Sequence, residues 1–160
     1  MNVLPVEKRL RVLAALVDGN SERAVGRMAD VNDRTLSRFA LTVGAGAVRL
    51  HDSLIRDLSC SLVEVDEIWS YVQKKQSRVD PEKDGPDVGE AYTFVALDVS
   101  SRLAISFYVG KRDQVSTNAF IDDLRARVVV MPQITSDGWA PYVSAIWKSF
   151  GLGTPCANAE

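Results

Sequence analysis

The run "SLVEVDEIWSYV" at residues 61–72 alternates on a two-residue period, and no other stretch limits the possible folds as much. Its β-branched and aromatic residues predict a strand. Val63, Val65, Trp69 and Tyr71 share one face, Trp69 as a core residue, and Glu64 and Asp66 share the other. A buried carboxylate costs several kcal/mol unless it is paired or holds a metal, so two acids on so apolar a strand imply a functional site or an exposed strand end. Glu67 points the opposite way and reads as a rim or salt-bridging residue.

The chain downstream continues the same architecture. Residues 73–91 form a charged loop bearing Pro and Gly, and "YTFVALDVSSRLAISFYVG" predicts two strands reversed at "DVSSR". Asp98 at that reversal is expected to form the turn, since Asp and Ser there bond their own backbone. "DQVSTNAFIDDLRARV" predicts an amphipathic helix with Val115, Ala119, Phe120 and Leu124 on its apolar face. "VVVMPQIT" returns as a strand and delivers Asp137 at its end. A last helix, "YVSAIWKSF", spaces Val143, Ile146, Trp147 and Phe150 for packing. Asp137 has two readings, the N-cap of that helix or a metal ligand, and both favour its ionised form. Trp139 is a core aromatic or, alternatively, a platform for a DNA base.

The segment before the first strand is helical. Leu10, Leu13, Ala14 and Val17 fall at helical spacing and Gly19 supplies a stop. Ser21 caps a short second helix that buries Ala24, Val25 and Met28, and Asn32 caps a third carrying Leu36, Phe39, Ala40 and Val43. Helix, short helix, turn and helix is the helix-turn-helix pattern, in which the third helix enters the major groove. Its polar Arg34, Thr35, Ser37 and Arg38 are the candidate DNA-binding residues, because arginine grips guanine in bidentate fashion and hydroxyls reach bases or phosphates. A protein-docking unit of three helices is the competing reading. A Gly-broken linker at "GAGA" leads into a further helix, giving four segments: 1–46 helix-turn-helix, 47–60 linker helix, 61–151 catalytic domain and 152–160 tail.

Charge supports that division. Residues 1–58 carry nine Lys and Arg against seven Asp and Glu, or +2, and the remainder ten against fourteen, or -4. A basic head on an acid-rich body suits a DNA-reading module joined to a metal-using one. No apolar run approaches the ~20 residues of a membrane span, so a cytoplasmic, nucleoid-associated protein with no membrane partner is expected. Cys60 and Cys156 lie far apart with one histidine in the chain, His51, which argues against zinc and disulfide chemistry.

After the head, the order β-β-β-α-β-α resembles the ribonuclease H-like fold, in which the first and fourth strands lie side by side. Asp66 and Asp137 can then meet, and carboxylate oxygens that converge suit Mg²⁺ or Mn²⁺. Two such ions about 4 Å apart activate an attacking water or 3′-hydroxyl and stabilise the leaving oxygen of a phosphodiester.

"EVDEIWSYVQKKQ", "YTFVALDVSSRLAISFYVGKRD" and "TSDGWAPY" together resemble the insertion-sequence-one family of bacterial DDE transposases. The resemblance implies a ribonuclease H-like catalytic domain, Asp66 and Asp137 as its first two catalytic, metal-binding acids, and Mg²⁺ or Mn²⁺ as cofactor. It also implies double-stranded DNA partners, the terminal inverted repeats and the target, with a homo-oligomer as the active form. The family's third carboxylate is a Glu on a later helix beyond a fifth strand. Residues 152–160 show neither, and Glu160 is not a suitable substitute, so the domain is expected to be incomplete. A truncated copy with little activity of its own is the primary expectation. The alternative is a non-catalytic DNA-binding fragment that occupies element ends and represses transposition.

Overall fold

Side-chain caps set the start of two of the three helices in the head. In the computed structural model, which describes residues 4–151 and the backbone of residues 156–158, the chain divides into two compact units, residues 1–54 and 55–160. The first holds three helices, α1 (Val6–Val17), α2 (Glu22–Ala29) and α3 (Asp33–Leu54). Ser21 caps α2 by accepting the Ala24 N–H at 3.3 Å, and the Asn32 side chain accepts from Arg34 at 3.0 Å as α3 begins. The turn between α2 and α3 is tight. A Cβ on Gly26 would lie 3.1 Å from both the Val31 carbonyl and the Asp33 carboxylate, so only glycine fits without displacement.

The head's core is Val12, Val25, Val31 and Leu36, with Ala15, Leu16, Ala29 and Phe39 against it. This differs from the stripe expected on α1. Leu10 and Val17 are exposed and Val12, one position away from that stripe, is buried, because α2 and α3 meet the helix along the adjacent row. Met28 on α2 is likewise exposed. α3 also runs unbroken through Gly44 and Gly46, where the sequence suggests a linker. Glycine inside a helix costs only about 1 kcal/mol relative to alanine, too little to end one on its own.

The second unit is a mixed sheet covered by two helices. Its elements are β1 (Leu62–Val72), β2 (Gly89–Asp98), β3 (Ala104–Gly110), α4 (Gln114–Arg127), β4 (Gln133–Ser136), α5 (Ala140–Phe150) and β5 (Cys156–Asn158). The strand order is β3-β2-β1-β4-β5. β1 pairs antiparallel with β2, Val63 opposite Asp98 through Val72 opposite Gly89, and parallel with β4, Leu62 opposite Gln133 through Glu64 opposite Thr135. β5 adds parallel to β4, Ile134 opposite Cys156. The fifth strand expected to be missing is therefore present as a short one, since three backbone pairs suffice where β4 leaves its outer edge open. Glu160 lies outside the described residues.

The core forms between one sheet face and α4 with α5. Val63, Val65, Phe94, Ala96, Ile105 and Ile134 from the sheet meet Phe120, Ile121, Leu124, Tyr142, Ala145 and Ile146 from the helices. Phe120 stands at its centre, with ring centroids 5.6 Å from Phe94 and 6.4 Å from Tyr142. Two helix faces are turned relative to expectation. Val115 is exposed while Ser116, Thr117 and Ile121 are buried, and Trp147 is exposed while Tyr142 and Ala145 are buried. Trp69 is 46% exposed, so it is not a core residue: β1 runs beyond the end of β4 and beyond the helices that would cover it. Cys60 is buried and free.

Asp98 is buried at the β2–β3 reversal, where one of its oxygens accepts from the Ser100 hydroxyl at 2.7 Å, the Ser101 N–H at 2.9 Å and the Ser101 hydroxyl at 2.6 Å. This is the turn-forming role read from the sequence. These hydrogen bonds, led by the Ser101 hydroxyl, hold its pKa below the usual carboxylate value.

Because Phe120 is fully buried among other rings, Phe120→Ala should cost about 3–5 kcal/mol, read as a lower midpoint in urea unfolding followed by far-UV circular dichroism. A loss below about 1 kcal/mol would contradict this packing.

Candidate functional site

Two strands of different length deliver the site's acids. The β1–β4 ladder ends at Glu64 opposite Thr135, and Asp66 and Asp137 each stand two residues further along. Parallel pairing keeps both at the same end of the sheet. Glu67 joins them, and Asp66, Glu67 and Asp137 each offer an oxygen atom within 4.8 Å of the others. Among the described residues no other set of three Asp, Glu, His or Cys side chains converges in this way.

The three acids differ in setting. Asp66 is exposed, with one oxygen accepting the Glu67 N–H at 2.8 Å. Asp137 is exposed as well; its Oδ1 accepts the Trp139 N–H at 3.0 Å. That bond closes a turn through Gly138, whose φ of 84° lies in the left-handed region glycine tolerates. α5 begins after Trp139, which holds the N-cap position without a side-chain cap bond, so Asp137 is not the helix cap. Glu67 is the buried member, its side chain 3% exposed. Burial raises its pKa, an effect opposed by the Arg112 charge and reinforced by Asp137.

Arg112, Trp139 and Tyr142 complete the arrangement. Arg112, in the link from β3 to α4, donates from Nη2 to Asp137 Oδ2 at 3.1 Å and lies 3.5 Å from Glu67 Oε1 through Nε. Its guanidinium stacks 4.1 Å from the Trp139 ring centroid, with the Tyr92 ring at 6.0 Å. Trp139 is half-buried and its indole N–H donates to Thr117 at 3.4 Å, which fixes the ring as a platform. Tyr142 is fully buried beside the acids, and its hydroxyl makes no hydrogen bond of ordinary geometry. Burial first, then the Glu67 and Asp137 charges, push that hydroxyl's pKa well above its usual value.

The sequence reading missed Arg112, read Glu67 only as a rim or salt-bridging residue, and placed Asp66 and Asp137 as the pair. The signal for Arg112 is weak, a basic residue within "GKRDQ" that looks like any charged turn. In the head, Arg34, Thr35 and Arg38 are exposed on α3, whereas Ser37 is half-buried and donates its hydroxyl to Glu22 at 2.6 Å.

No family model matches the chain, and no curated protein matches it. Solved structures that resemble it include "Crystal structure of the Mos1 Strand Transfer Complex", at 15% identity and a TM-score of 0.39. Another is "Mos1 transposase paired-end complex with left transposon end", at 13% and 0.35. Each match covers 98% of this chain and 60% of the other, so the chain spans 60% of the length of those transposase chains. At such values the likeness assigns no function, and the side chains of the site must carry one. Among the described residues no helix is long and apolar enough to cross a membrane.

The raised pKa of Glu67 has a pH consequence of definite sign. The folded state holds its proton more tightly than the unfolded state, so this residue's contribution is fully favourable below the ordinary carboxylate range and is lost as pH rises through the raised value. In EDTA, Glu67→Gln should therefore gain stability relative to the parent chain between pH 4 and pH 7. Urea unfolding across that range checks it, and a constant difference would mean that Glu67 titrates normally.

Proposed function

We propose that the chain is a metal-dependent DNA strand-cleaving and strand-transferring enzyme of the insertion-sequence-one transposase kind. The observation that carries this reading is the convergence of Asp66 and Asp137, from adjacent parallel strands, with the buried Glu67. Such an all-oxygen donor set fits a hard divalent cation. Asp66 Oδ2, Asp137 Oδ2 and a Glu67 oxygen would hold Mg²⁺ or Mn²⁺, with Glu67 as the third carboxylate. When bound, the ion supplies Lewis-acid charge to a phosphodiester under attack.

The protein's own residues do the rest. Asp137 is fixed by its bond to the Trp139 N–H, and Asp66 by its bond to the Glu67 N–H, so neither carboxylate must be ordered when substrate arrives. The adjacency of the first and fourth strands supports a ribonuclease H-like reading of this unit. The three helices of the head serve as a helix-turn-helix that holds double-stranded DNA, element ends and target, through Arg34, Thr35 and Arg38 on α3. Ser37 has the lesser role, since Glu22 already binds its hydroxyl. A homo-oligomer would bring two element ends together.

One observation favours a second reading, a DNA-binding protein that occupies element ends without cutting them. Arg112 already fills the acid cluster with positive charge.

Both readings are tested on supercoiled plasmid with Mg²⁺ or Mn²⁺. Asp66→Asn or Asp137→Asn should slow nicking by roughly a thousandfold, the loss of several kcal/mol of transition-state stabilisation. Nicking that survives Asp66→Asn would remove that residue from the site, and metal-independent binding without any nicking would favour the second reading. Arg34→Ala and Arg38→Ala should each weaken DNA binding and flatten its logarithmic salt dependence by about 0.9 for every phosphate that is no longer neutralised.

A further inference from the structure

Arg112 holds the carboxylate oxygen that a metal ion at this cluster would need. Asp137 Oδ1 is committed to the Trp139 N–H at 3.0 Å, which leaves Oδ2 as the atom available to an ion, and Oδ2 is the atom that accepts from Arg112 Nη2 at 3.1 Å. The same guanidinium reaches Glu67 Oε1 at 3.5 Å. Three carboxylates within 4.8 Å repel one another, and one positive charge between two of them relieves part of that repulsion. The buried Tyr142 hydroxyl faces Glu67 on the core side of the same acids, so Arg112 is the cation that meets them from the open side.

We propose that Arg112 is the resident counter-ion of the acid cluster and competes with a divalent cation for it, an inference that rests on the metal-dependent reading above. Mg²⁺ needs ligand oxygens at about 2.0–2.1 Å, so it would have to take the oxygen that Arg112 now holds, and the two cations would repel at that separation. The guanidinium has somewhere to go. Its planar face rests on Trp139 with Tyr92 nearby, and beyond it opens a cleft of about 610 Å³ lined by Gln76, Pro81, Val88, Glu90 and Lys111. Lys111 donates to the Val88 and Glu90 carbonyls at 3.1 and 2.7 Å, so the backbone before Arg112 stays tethered while its side chain swings. Arg112 is thus a positioning residue that sets how readily the acids accept an ion.

The test is calorimetric titration of the full chain with Mn²⁺, comparing the parent with Arg112→Gln and Arg112→Lys. Removing the charge should tighten Mn²⁺ binding by about tenfold, within the usual range for coupled sites, and the lysine should stay near the parent value. Asp66→Asn should abolish binding in the parent and in the Gln background, which places the ion at the cluster. Unchanged or weaker binding by Arg112→Gln overturns the inference while leaving the metal-dependent reading intact. Failure of both proteins to bind Mn²⁺ at millimolar concentration overturns both. Should Arg112→Gln fail to fold, the Nε–H resonance of Arg112 in the parent, assigned by its loss in Arg112→Lys, must move on addition of Mg²⁺. A resonance that stays in place at saturating Mg²⁺ overturns the inference as well.

Discussion

Everything at the site depends on the parallel pairing of β1 with β4. Antiparallel neighbours such as β1 and β2 would bring Asp66 opposite Val95, mid-strand and without an acid nearby. Parallel pairing instead sends both chains the same way, so that two acids the same distance past the last ladder pair arrive together. α4 is the crossover that makes this possible, returning the chain from β3 to the other side of β1. Its buried row, Phe120, Ile121 and Leu124, packs onto the sheet and holds that crossover in place. A weaker core would loosen the ladder before it touched any acid directly.

Burial then divides the labour among charges that lie close together. Asp66 and Asp137 face solvent, where their ionised forms are well hydrated, while Glu67 and Tyr142 sit at the edge of the core, where water is excluded. A low-dielectric wall on one side strengthens every interaction of the cluster with a cation. Arg112 exploits this at present, and Trp139 beneath it adds a face that attracts the guanidinium without competing for the carboxylates. Charge, ring and carboxylates are therefore packed as one unit around the Arg112 guanidinium.

Much of this was legible one element at a time. Period-two alternation identified β1, and Ser21, Asn32 and Asp98 were read in the capping and turn roles they hold, because such bonds span only two or three residues. Helix faces were less legible. Val115, Leu10, Val17 and Trp147 belong to apolar stripes that a sequence can count but cannot orient, since two adjacent rows on one helix look alike until a partner selects one. Trp69 failed as a core residue for a related reason: alternation says which side chains share a face, and only neighbouring elements say where that face ends.

The sequence by itself determined which residue types were available, that Asp66 lies on the first strand and that Asp137 follows the fourth, because strand period and turn chemistry are local properties of the chain. Tertiary structure decided that these acids meet, that Glu67 is the buried third member, and that Arg112 lies between them on Trp139. Those relations join residues up to 71 positions apart (137 − 66), through a ladder register and a crossover helix that no local pattern encodes.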